Sequence, residues 1–205
     1  MTHVMLAMIG VVTVGLKYGV VITLKQQEDY NHFADGKRIS QIPNFWNVLS
    51  NIIFICGGIY QCITQDSIFG MLCVSVGLGS SYYHFNPTIK TLLWDRLPMA
   101  LSFTYLIALK LQLNAVASLL FMAYGAWTVI YWSKTMDLSY YLALQLAPII
   151  FFMLYSEYNM KIACILYIAA KICEDYDHEL YYLTHRSFSG HELKHYLAGV
   201  ALFFI

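Results

Sequence analysis

The last apolar stretch of the chain opens with "SGHELKHYLAG", residues 189–199, in which His191 and His195 stand four apart and Glu192 follows the first. On a helix that spacing puts both imidazoles on one side, where two histidines can grip a zinc ion through Zn–N bonds of roughly 2.0–2.1 Å. Read as H-E-x-x-H, the same residues spell a zinc-peptidase motif with Glu192 as general base. A second polar group lies in "GSSYYHFNPTIK" (79–90), where Ser80 and His84 are again four apart, and a third in "TLLWDRLPMALSF", which carries Asp95. His84, His191 and His195 together offer three neutral ligands and leave a fourth corner for water, the form of a catalytic rather than a structural zinc site.

The elements that must position these groups are apolar. Of the 205 residues, 59% are hydrophobic and only 12% charged, and the mean hydropathy is +0.57, which is the composition of a membrane protein. Apolar runs recur at roughly 4–24, 44–63, 67–85, 91–110, 113–132, 138–155, 159–173 and 189–205. Most approach the length of about 20 residues that a helix needs to cross a bilayer. Continuous rather than alternating apolar runs exclude a β-barrel, so an all-α, polytopic transmembrane helix bundle is expected. Tyrosines and tryptophans at "FW" 45–46, Trp94 and "YW" 131–132 fit anchoring at the membrane interface.

Ionisable residues within or at the mouths of spans each have to justify their desolvation, and this singles out the histidines, Asp95 and Ser80. "NP" at 86–87 ends the third run and turns the chain back, bringing Asp95 toward His84. Eight alternating spans place the end of the third run and the starts of the fourth and last on one side, so all five polar groups share a leaflet. The first run, residues 1–25, has neither a basic leader nor a small-x-small cleavage site and is read as a retained helix in which Lys17 snorkels to the interface. Residues 26–43 are read as a polar loop and 44–205 as the catalytic bundle. Five cysteines in or beside apolar runs, without a C-x-x-C pair, read as small core residues. Zero net charge speaks against nucleic acid, and no obligate protein partner is implied.

S-x-x-x-H at Ser80 and His84, an aspartate eleven residues on at Asp95, and H-x-x-x-H at His191 and His195 resemble the CREST superfamily of membrane hydrolases, which includes alkaline ceramidases, adiponectin receptors and GPI-lipid remodelling proteins. "IPNFWNVLSNIIF" (42–54) is similar to the first core helix of the ceramidase branch. The resemblance, over roughly 28–205, implies a seven-helix core with one Zn²⁺ on His84, His191 and His195. Asp95 would hold and deprotonate the zinc water and Ser80 would steady the oxyanion. The implied reaction is hydrolysis of a lipid amide, ceramide first, with membrane lipids as surroundings.

Three features depart from that pattern. The run at 1–25 would be an extra, eighth helix. Asn44 stands where the ceramidases place a calcium-ligating glutamate; Glu28, Asp29 and Asp35 upstream are read as a solvated loop, so Ca²⁺ is doubtful. Glu192 fills a position expected to be uncharged, which creates the peptidase motif. Only ten residues follow His195, none able to ligate, so the third ligand must come from upstream and a lipid amidase is preferred to an intramembrane metalloprotease. A receptor of the adiponectin type is the other alternative, against which the lack of a long N-terminal domain counts. His32, His178 and His185 fall in segments read as polar loops, and His3 in the N-terminal tail. Lys and Arg crowd the site end of the chain, which by the positive-inside rule faces the cytoplasm, whereas the resemblance implies the lumenal or periplasmic side.

Overall fold

The computed structural model describes residues 24–26 and 30–205, and among these the chain is all-helical, with no strand beyond isolated bridges. The helices are α1 (Phe45–Leu49), α2 (Ile52–Thr64), α3 (Ser67–Phe85), α4 (Ile89–Lys110), α5 (Ala115–Thr135), α6 (Ser139–Tyr155), α7 (Tyr158–Asp175), α8 (Asp177–Leu183) and α9 (Gly190–Ala201), closed by a single 3₁₀ turn at Leu202–Phe204. Three units are long and apolar enough to cross a membrane: Phe45–Thr64, Ile89–Lys110 and Ala115–Thr135. The expected helix at 1–25 lies outside the described residues, as do Lys17, Glu28 and Asp29.

Local sequence sets the helix ends. Asp66 starts α3 by accepting from the Phe69 backbone N–H at 2.8 Å, a cap that satisfies one of the orphan donors of the first turn. Asn86 and Pro87 end α3, and Thr88 then opens α4 with a reciprocal cap to Thr91. This tight corner turns α4 back along α3. It is the reversal expected from "NP".

Two features differ from the sequence reading. The run expected as one span at 44–63 is broken at Ser50 and Asn51 into α1 and α2, because both side chains are wholly buried and used locally, Ser50 Oγ on the Asn47 carbonyl and Asn51 Nδ2 on the same oxygen. The stretch expected as a polar loop around His178 contains α8, whose first residue, Asp177, is buried and binds two backbone N–H groups.

Helix α3 packs between α2 and α4, α5 packs on α4, and α9 lies against α7 and α2. One buried cluster joins Phe69, Ile107, Phe151 and Met160 deep in the bundle, and a second joins Tyr83, Leu92, Val129, Trp132 and Leu144 near the site end. Large aliphatic side chains point outward, among them Ile63, Val116, Leu119, Leu120 and Leu154, while Asn47, Gln61, His84, Thr104 and His195 are buried. An apolar exterior around a polar interior suits a bundle surrounded by lipid.

Candidate metal centre

His84 enters from the last turn of α3, and His191 and His195 from the first two turns of α9. All three are buried, and one nitrogen from each lies within 4.8 Å of the others. The ring centroids form a nearly equilateral triangle of 4.7, 5.0 and 5.0 Å. His191 Nε2 is 3.2 Å from His84 Nε2, against the separation of about 3.3 Å that a tetrahedral zinc imposes on two of its nitrogen ligands. This donor set fits a metal ion. Among the described residues it is the one such group of His, Cys, Asp or Glu.

The supporting shell fixes the rings. Ser50 Oγ lies 2.7 Å from His195 Nδ1 and so leaves Nε2 as the free nitrogen, a support of the kind that orients metal-binding histidines. The backbone N–H of His191 donates to Asp177 Oδ1 at 2.8 Å, and Asp177 Oδ2 accepts from the Ala34 N–H at 2.8 Å, so one carboxylate ties the start of α9 to the loop before α1. That loop covers the centre: the Phe33 ring stands edge-on to His84 and His191 at 4.7 and 4.8 Å. Asn44 Nδ2 donates to the His84 carbonyl at 2.9 Å. His84 Nδ1 has no hydrogen-bond partner, and its ring is held by aromatic neighbours instead.

Ser80 and Asp95 are buried, their side chains hydrogen-bond, and both line a cavity of about 810 Å³ together with His191 and His195. All five site residues picked from the sequence therefore meet at one end of the bundle. A smaller apolar cavity of about 120 Å³ shares Phe54, Val76, Met99, Tyr167 and Ala198 with the larger one and runs on past Leu106, Phe152 and Leu202. The larger chamber has a mixed lining that carries the polar groups, and the smaller one is lined almost wholly by apolar atoms.

Asp35 is not solvated as the loop reading had it: it is 1% exposed, its Oδ1 accepts from the Lys37 N–H at 3.0 Å and its Oδ2 lies 3.6 Å from Lys37 Nζ, and its side chain lies beside that of Glu192. The loop folds over α9, and burying Asp35 follows from that closure. Glu192 in turn accepts from Ser189 Oγ at 3.1 Å while Ser189 caps the Glu192 N–H. The motif "SGHE" thus has the S-x-x-E spacing of a helix start, a signal present in the sequence beneath the peptidase reading.

Several site residues escaped the sequence reading. Lys194 Nζ donates to His191 Nε2 at 2.8 Å and to Glu174 Oε1 at 2.9 Å; Glu174 also pairs with Lys171 and accepts from the Tyr30 hydroxyl at 3.0 Å. Burial, reinforced by the Glu174 carboxylate, holds the Tyr30 phenol well above its ordinary pKa, so it stays a donor. Lys194 sits one turn from His191 in H-E-L-K-H, a spacing visible in the sequence; its partner Glu174 is twenty residues away and is not. The chain matches no family model, no curated protein and no solved structure.

Proposed function

We propose that this chain is a multi-pass membrane hydrolase with a seven-helix CREST-like bundle, which uses one zinc ion to cleave a lipid amide, ceramide being the first substrate to test. The observation that carries this reading is the convergence of His84, His191 and His195 with the Ser80–Asp95 pair beside a cavity that continues into an apolar chamber.

Zn²⁺ on the three histidines supplies Lewis acidity and lowers the pKa of water toward 7. The chain's own groups do the rest. Asp95 accepts the proton of the attacking water and returns it to the leaving amine, a role open to a carboxylate within hydrogen-bond reach. Ser80 holds that carboxylate in place and offers its hydroxyl to the oxygen on which charge develops. Water and amide give a fatty acid and an amine, and the apolar chamber takes the acyl chain. Glu192, engaged with Ser189 and Asp35, is turned to the support of α9, which favours a lipid amidase over a peptidase using the same motif.

The test offers labelled ceramide and a labelled transmembrane peptide to the purified, zinc-loaded protein. Ceramide cleavage is expected, lost by at least a hundredfold in Asp95→Ala and kept within a few-fold in Glu192→Gln. Peptide cleavage that fails in Glu192→Gln and survives in Asp95→Ala would reverse the assignment.

A further inference from the structure

Among the described residues, Arg96 is a buried charge whose guanidinium is only partly partnered. It is 4% exposed and lines the large cavity. Its Nη2 donates to Gln26 Oε1 at 2.6 Å, while its Nη1 is buried with no hydrogen-bond partner. Among the described residues no carboxylate comes within ion-pair distance of it: Asp95, its neighbour in sequence, feels its charge only at longer range and lies beside Ser80, and Glu174 is taken by Lys171 and Lys194. Three aromatic rings hold the guanidinium, Trp132 at 4.0 Å, Tyr30 at 5.2 Å and Tyr141 at 5.3 Å. Cation–π contacts of this kind recover only part of the cost of taking a guanidinium out of water and leave its charge unneutralised.

The same residues connect Arg96 to the metal centre. Tyr30 lies against Arg96 with its ring and reaches Glu174 with its hydroxyl, Glu174 holds Lys171 and Lys194, and Lys194 touches His191. Tyr30 and Glu174 thus stand between the guanidinium and the two ammonium groups, and all three cations line the same cavity. Donors arriving from a planar fork and from two point charges suit an oxyanion with several oxygens, as a phosphate presents.

We propose that Arg96, with Lys171 and Lys194, forms a binding subsite for the phosphate-class head group of an anionic lipid, beside the three-histidine centre. This rests on the hydrolase reading and narrows its substrate from neutral ceramide to an amide lipid that carries a phosphate-class head group.

The subsite is tested by binding to metal-free protein in dodecyl maltoside, which carries no charge, using dihexanoyl phosphatidic acid, dihexanoylglycerol and inorganic phosphate. Calorimetry gives affinities, and the fluorescence of Trp132 beneath the guanidinium gives a local signal, identified by its loss in Trp132→Phe. Phosphatidic acid should bind at least tenfold more tightly than the neutral lipid, and Arg96→Gln should remove that preference. Arg96→Lys keeps a cation but loses the fork; it should weaken phosphatidic acid several-fold, and it decides the matter if the glutamine variant fails to fold. Equal affinity for the two lipids, or unaltered binding in Arg96→Lys, overturns the subsite. Inorganic phosphate binding as tightly as phosphatidic acid overturns the lipid head-group assignment in favour of a free oxyanion. Phosphatidic acid binding without turnover of either ceramide or ceramide 1-phosphate would sink the hydrolase reading alone, and ceramide turnover without phosphatidic acid binding would sink the subsite alone.

Discussion

His191 Nε2 is contested: it faces His84 Nε2 at 3.2 Å and Lys194 Nζ at 2.8 Å. A divalent ion needs that nitrogen and is repelled by an ammonium so close to it. Lys194→Met should therefore tighten zinc binding by about tenfold, the Coulombic penalty being reduced by neighbouring Glu174. Ser50→Ala should do the opposite. Without the 2.7 Å contact to Nδ1 the His195 ring loses its orientation, and affinity should fall by roughly 10- to 100-fold. Competition against a chromogenic chelator measures both, and zinc content should be one per chain in the unsubstituted protein and absent in His84→Ala. Two shifts of the same sign would show that the histidines do not share an ion in this geometry. The five residues of the site were legible in the sequence because their types and i, i+4 spacings are chemical facts of the chain. Ser50 was not, because a serine in an apolar run gives no sign of which histidine it will meet.

Helix α9 carries two of the three histidines, and its start is fixed by close approach rather than by hydrogen bonds alone. A Cβ on Gly190 would run into the Cys173 carbonyl near the end of α7 and the Asp177 backbone at the start of α8, neither of which can give way as a flexible side chain would. Gly190→Ala should destabilise the protein by about 1–3 kcal/mol, the cost of overpacking, and lower zinc retention with it. Gly36→Ala is the control: its added methyl would meet only Asn44 Oδ1 at 3.8 Å. Thermal unfolding in detergent and metal analysis read both effects; equal behaviour of the two variants would show that α9 is not seated by this contact. At this scale the spans from 44 onward were readable from continuous apolar runs, and the turn at Asn86 and Pro87 from proline's missing N–H. The break at Ser50 and Asn51 was hidden, since propensity permits a helix there and only tertiary burial of the two side chains favours the kink. Helix α8 was hidden for the converse reason: its sequence is polar enough for a loop, and Asp177 earns its place by binding Ala34 and His191, 143 and 14 residues distant.

For the whole molecule, the distribution of cations is uneven between the two ends of the bundle. Lys37 reaches the Arg186 carbonyl and Lys25 bridges to Asp137, so the loop before α1, the α5–α6 turn and the α8–α9 turn gather at the site end, whereas Lys110 meets Ile205 at the other. The positive-inside rule favours a cytoplasmic site end, against the lumenal or periplasmic side that the family resemblance implies, and labelling decides between them. Lys37→Cys, at a side chain 48% exposed, should react with a membrane-impermeant maleimide in inside-out vesicles and not in right-side-out ones; the reverse pattern would put the centre on the far side. The sequence by itself determined the helical class, the apolar runs from residue 44 and the identity of the five polar groups, because hydropathy, proline and helical periodicity act locally along the chain. Only the tertiary structure decided that Asp35 is buried, that Glu192 supports α9, and that Arg96 is buried with one guanidinium nitrogen unpartnered, because each depends on which distant segments come to lie within a few ångströms.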